Sequence, residues 1–165
     1  MSSRNNEAPL PLLIIAIGNP YRGDDAAGLA VAPLLRKTLP AGIQLVVATG
    51  EGTALLDAWQ DADAVILVDA VHSGSPPGTL HRLDLLAQKI PRLYFRYSTH
   101  AFSIPEAVEL ARVLNRLPPR LILHGIEGEK FAAGEGLSPS VEKALGALVQ
   151  NILEDVRAIM AASSD

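Results

Sequence analysis

Three carboxylates and one imidazole stand where side chains of that type could act on a metal ion or a proton. Asp24 and Asp25 close the stretch Gly18-Asn19-Pro20-Tyr21-Arg22-Gly23, which follows an apolar run at 12–17. Asp69 follows a second apolar run at 64–68, and His100 ends the segment Ser98-Thr99-His100. The two glycines of the first loop have the spacing of a phosphate-cradling turn, but that motif continues with Lys and Ser/Thr. Two carboxylates in their place repel an anion. The acidic pair therefore suits a cation or proton transfer. The competing reading is that Asp24 caps a helix and Asp25 complements its dipole.

These groups need elements to bring them together. Residues 12–17, 43–48, 64–68 and 120–125 read as strands, the first and third apolar throughout, as in a sheet covered on both faces. Residues 25–39, 53–60, a segment reaching about 114 and those from Ser138 onward read as helices; the third starts either at Ser103, which has capping-box spacing to Glu106, or earlier with Ser98 or Thr99 as its cap and His100 in its first turn. The last has Pro139 at its first position and an apolar stripe of Val141, Leu145, Leu148, Ile152, Val156 and Ile159. Residues 79–83 alternate after a Pro-Gly turn and predict a short antiparallel edge with His81 facing solvent. The expected fold class is α/β: a three-layer α/β/α sandwich on a mostly parallel five-stranded sheet with one short antiparallel edge strand. In the commonest doubly wound order, strands one and three are neighbours and their following loops part to opposite faces. Asp25 and Asp69 then enter one crevice, and His100 reaches it from the side. Two carboxylates and an imidazole suit a borderline divalent ion such as nickel or zinc, with positions left for a substrate's own ligands. His72 or His124 could replace His100, since both follow strands closely. Tyr94, Phe95 and Tyr97 either line a peptide groove or anchor a long loop.

Composition narrows the field. A chain of 165 residues, 48% apolar, is long enough to bury one core. We expect a single domain, 1–165, with 1–9 a flexible tail and 10–160 the folded unit. The net charge of −4 argues against capture of nucleic acid or anionic membrane. The sequence has no cysteine, so a thiolate nucleophile and Cys-ligated metal are excluded. Without a signal-like or membrane-spanning segment, a cytoplasmic protein is expected. No Gly-x-Ser-x-Gly elbow surrounds Ser73, and no His-Glu-x-x-His helix is present.

In this order the motifs resemble those of the [NiFe] hydrogenase maturation endopeptidases. The resemblance spans about 12–156. It rests on Ile17-Gly18-Asn19-Pro20 through Gly23-Asp24-Asp25-Ala26-Ala27-Gly28, Val68-Asp69-Ala70, Pro77-Gly78-Thr79, Ser98-Thr99-His100 and Gly136-Leu137-Ser138-Pro139. The chain departs from the family's usual Asp-Gly-Gly-Thr in the turn after the second strand, which here reads Ala48-Thr49-Gly50-Glu51-Gly52, and carries Ala101 where many members have a polar residue. The resemblance implies that residues 10–160 form a peptidase domain. Its partner would be the precursor of a hydrogenase large subunit, from which it removes a C-terminal extension after nickel insertion. Asp25, Asp69 and His100 would contact that nickel and carry the catalysis, with Gly18 and Asn19 binding substrate. The nickel would arrive with the precursor, held by the precursor's thiolates, and another divalent metal could stand in for it in vitro. It would serve as a recognition element or as an electrophile. Two other readings stay open: a non-catalytic assembly chaperone that binds the same precursor, and a small-molecule hydrolase on the same scaffold.

Overall fold

The computed structural model describes residues 12–163; the tail expected at 1–9 lies outside them. In chain order the elements are β1 (Leu12–Ile17), α1 (Ala27–Thr38), β2 (Gln44–Ala48), α2 (Gly52–Trp59), β3 (Ala64–Val71), β4 (Leu80–Asp84), α3 (Ile104–Val113), β5 (Arg120–Glu127) and α4 (Pro139–Ser163). The strands form one sheet in the order β2-β1-β3-β5-β4. Only β4 runs antiparallel to its neighbour, β5.

Side-chain alternation along the strands divides the core. Leu12 and Ile14 of β1 and Ile66 and Val68 of β3 join Val31 and Leu35 of α1 and Leu148, Ile152 and Val156 of α4 on one face. Leu13, Ile15, Val65 and Leu67 face the other way, onto Leu55 and Trp59 of α2 and Ile104 and Val108 of α3. Both faces being covered explains why β1 and β3 read as unbroken apolar runs. Each such chain moved fully out of water contributes roughly 1.5–3 kcal/mol. β2 lies at the sheet edge and is half exposed. Among the described residues no helix is long and apolar enough to cross a membrane.

The ends of the strands make the crevice. β1 pairs with β2 on one side and β3 on the other. The chain leaves β1 through α1 on one face and reaches β3 through α2 on the other. β1 matches β3 only as far as Ala16↔Val68, while β5 accompanies β3 to Val71↔Glu127. Asp69 and Ala70 thus belong to β3 and do not follow it: the apolar run stops at Val68, but the hydrogen-bonded ladder with β5 continues. On the β1 side the chain has already turned away at Gly18. A Cβ on Gly28 would run into the carbonyls of Ile17 and Val68. The bare glycine lets the start of α1 rest on the two strand ends.

Candidate active site

A cavity of about 350 Å³ opens at the carboxyl ends of β1 and β3. Gly18, Asn19, Asp25, Asp69 and His100 all line it. The three groups expected to converge therefore share one hollow, although they come from a loop after β1, the end of β3 and the loop before α3. Among the described residues, however, no three His, Asp or Glu side chains stand close enough together to hold an ion unaided.

Each is placed by local structure. Gly18 donates its N–H to Ala48 O (3.1 Å), and Asn19 N donates to Asp25 O (3.2 Å), so the loop closes tightly on itself. A Cβ on Gly18 would collide with that Asp25 carbonyl. The Asn19 side-chain oxygen accepts from Tyr21 N at 2.9 Å, an Asx turn that fixes the loop. Residues 23–26 form one 3-10 turn before α1, and this turn separates the fates of the two aspartates.

Asp24 points away from the cavity and is fully buried. Its oxygens accept from Glu129 N (2.7 Å), Lys130 N (2.9 Å), Ser138 N (2.7 Å) and Ser138 Oγ (2.7 Å). Burial pushes its carboxyl upward, but the bonds from Lys130, Ser138 and Glu129 outweigh that and hold it below the ordinary carboxylate range. It is neither the helix cap nor the metal partner that sequence reading offered. It is a clamp across the chain.

Asp25 is partly open to the cavity, with the Arg22 guanidinium 3.9 Å from its carboxylate. Burial raises its pKa, and the charges of Arg22 and His100 partly offset that. Asp69 is 7% exposed. One of its oxygens accepts from Ala70 N at 2.8 Å. Burial, and then the negative charge of Asp25, push its carboxyl well above the ordinary range. Two carboxylates facing one hollow with so little compensation form a site short of positive charge. His100 precedes α3, whose start is fixed instead by Glu106, accepting from Ser103 N and Ser103 Oγ.

The remaining walls were only partly foreseen. Tyr94 and Phe95 pack on the core beside α3, as the anchor reading expected, and also line the cavity. Tyr97 stacks on Phe131 with ring centroids 5.7 Å apart, and His72 meets both rings edge-on. Phe131 had no sequence signal. Thr49 and Gly50 of the departing loop also line the cavity, while Glu51 caps α2 by accepting from Thr53 N and Ala54 N. Of the two substitutes for His100, His72 lines the cavity; its Nδ1 is buried without a partner among the described residues. His124 does not line it: it bonds Asp155 of α4 at 2.6 Å.

The family profile described as HycI, hydrogenase maturation protease, matches residues 30–155. The hydrogenase expression/formation protein HupD of Thiocapsa roseopersicina is 28% identical over 87% of this chain, which spans 66% of HupD's length. The hydrogenase 2 maturation protease of Escherichia coli strain K12 is 28% identical over 90% of each chain. The fold also matches the hydrogenase maturating endopeptidase HybD from E. coli, with a TM-score of 0.74, 23% identity and coverage of 90% of this chain and 93% of that one. With the profile covering most of the described residues, this chain belongs to the hydrogenase maturation protease family and is an endopeptidase of hydrogenase maturation.

Proposed function

We propose that the cavity receives the nickel-bearing end of a [NiFe] hydrogenase large-subunit precursor and cuts off its C-terminal extension. The observation that carries this reading is the meeting of Asp25, Asp69 and His100 along one cavity, from positions far apart in a chain of this family. The nickel is cargo of the substrate. An enzyme without cysteine contributes oxygen and nitrogen donors, and the precursor contributes thiolates. Because the three side chains do not form a closed ligand set by themselves, the loaded precursor is what completes the coordination. An incoming dication also relieves the repulsion between Asp25 and Asp69.

Hydrolysis requires water to add to the scissile carbonyl carbon, the C–N bond to break and a proton to reach the departing amine. Asp25, the more accessible carboxylate, or the nickel itself would activate that water; Gly18 and Asn19 would shape the approach. The metal then acts either in recognition alone or also as an electrophile, and replacing nickel with zinc in the precursor separates these roles. A cytoplasmic setting belongs to the same proposal, and fractionating cells that express the protein checks it.

The test is incubation of the protein with nickel-loaded and nickel-free precursor, followed by mass measurement. We expect only the loaded precursor to become shorter. Unchanged mass with stable binding would instead support the chaperone reading, and no observation favours the small-molecule hydrolase.

A further inference from the structure

A second polar cluster stands behind the cavity wall, and its hub is Glu127. The strand expected at 120–125 runs on to Glu127, which ends β5 and is 1% exposed. Four donors converge on its carboxylate. Oε1 accepts from Ser73 N (2.8 Å) and Gly74 N (3.0 Å). Oε2 accepts from Ser73 Oγ (2.8 Å) and meets His81 Nε2 at 3.2 Å. His81, expected to face solvent, is instead covered by the loop that Glu127 holds. Its other ring nitrogen, Nδ1, lies 3.3 Å from the Tyr94 hydroxyl.

The cluster contains Ser, His and Glu, but it is not a nucleophile with its base. Ser73 Oγ gives its proton to Glu127 and stands 3.5 Å from His81 Nε2. Ser73 does not line the cavity, and the carboxylate it donates to already holds three other donors, so the serine serves to fix the loop. The same carboxylate sets the imidazole. A carboxylate only accepts, so in a neutral ring the tautomer that satisfies both contacts has Nε2 donating to Glu127 and Nδ1 accepting from the Tyr94 hydroxyl. The chain of bonds runs from β5, through the β4 edge, to a side chain on the cavity wall. A backbone bond from His72 N to Tyr94 O (2.9 Å) ties the second wall residue to the same unit.

We propose that Glu127 and His81 are positioning residues for the peptidase cavity: they hold Tyr94 and His72 as a fixed wall against which the substrate peptide lies. This rests on the reading that the cavity takes the precursor. A wall away from the reacting atoms acts on substrate and transition state alike, so its loss raises KM and leaves kcat.

The experiment is steady-state cleavage of nickel-loaded precursor by the wild-type protein, E127Q, H81Q, Y94F and the H81Q/Y94F double variant, each with its thermal unfolding curve. The Gln of H81Q can still reach Glu127 but not Tyr94, so it should behave as Y94F does. We expect H81Q and Y94F each to raise KM about three- to tenfold, with kcat within about twofold. The double variant should be no worse than the worse single one, because both remove one contact. E127Q should raise KM at least as much. Additive effects in the double variant, or unchanged KM in H81Q and Y94F beside a wild-type protein that cuts, overturn the inference alone. If E127Q does not fold, the two ring variants still decide it. A wild-type protein that leaves loaded precursor intact overturns both the reading of the cavity and this inference.

Discussion

Asp24 accepts four hydrogen bonds in an enclosed pocket, whereas Asp25, the next residue, opens onto the cavity with one guanidinium 3.9 Å away. Asp69, across the cavity, has one backbone donor and little else. The clamp region is chemically saturated and its carboxyl is held low. The cavity region is unsaturated and its carboxyls are pushed high. The contrast teaches that residue type and spacing do not distinguish a carboxylate that ties the fold together from one left open to a cavity. The supply of donors does. A group already surrounded by its partners holds the fold, and a group kept short of partners is free to meet a ligand.

Substitution can break that comparison. D25N and D69N should each reduce precursor cleavage about 10²-fold or more while the protein stays folded, measured by product mass over time. D24N should do the reverse. It turns an acceptor of four bonds into a group that also donates toward donors, and should lower stability by about 2–4 kcal/mol. In a protein of this size that is a fall in Tm of roughly 5–15 °C, read from thermal unfolding. Below that temperature the folded fraction should still cut. A D24N protein of normal stability and no activity would erase the distinction.

Smaller effects sharpen it. D69N removes a charge that the folded state disfavours, so it should gain roughly 1 kcal/mol of stability as it loses activity. The pH dependence carries opposite signs. The Asp24 pKa is depressed on folding, so its contribution is complete above the ordinary carboxylate range and is lost as pH falls through its lower folded value. The Asp69 pKa is raised, so its contribution is complete below that range and is lost as pH rises through its higher folded value. Denaturant unfolding across pH should show a shallower acid limb for D24N and a shallower decline toward neutral pH for D69N.

Much of the architecture was legible because it depends on periodicity. The unbroken apolar run of β1 and the stripe on α4, from Val141 to Ile159, mark their own burial. The order of strands one and three followed from connection rules, and it brought Asp25 and Asp69 to one hollow. What escaped the reading depends on contacts between distant segments. Asp69 and Glu127 looked like residues beyond their strands because polarity ends an apolar run, yet each is held in the β3–β5 ladder by the other strand's backbone. His81 looked exposed because β4 is an edge. Asp24 looked like a local cap, and its partners lie 105 to 114 residues further along. Phe131 joins the wall from a loop with no periodicity at all.

The Asp24 clamp also has a meaning along the chain. The first loop of the chain is tied by residues 129, 130 and 138. In chain order two of these ties, from Glu129 and Lys130, come before α4, and Ser138 supplies the other two. A chain cut before Ser138 would keep every residue that lines the cavity, all of them between 18 and 131, yet Asp24 would keep only two of its four donors, so the last helix completes a tie on the first loop without touching the cavity itself.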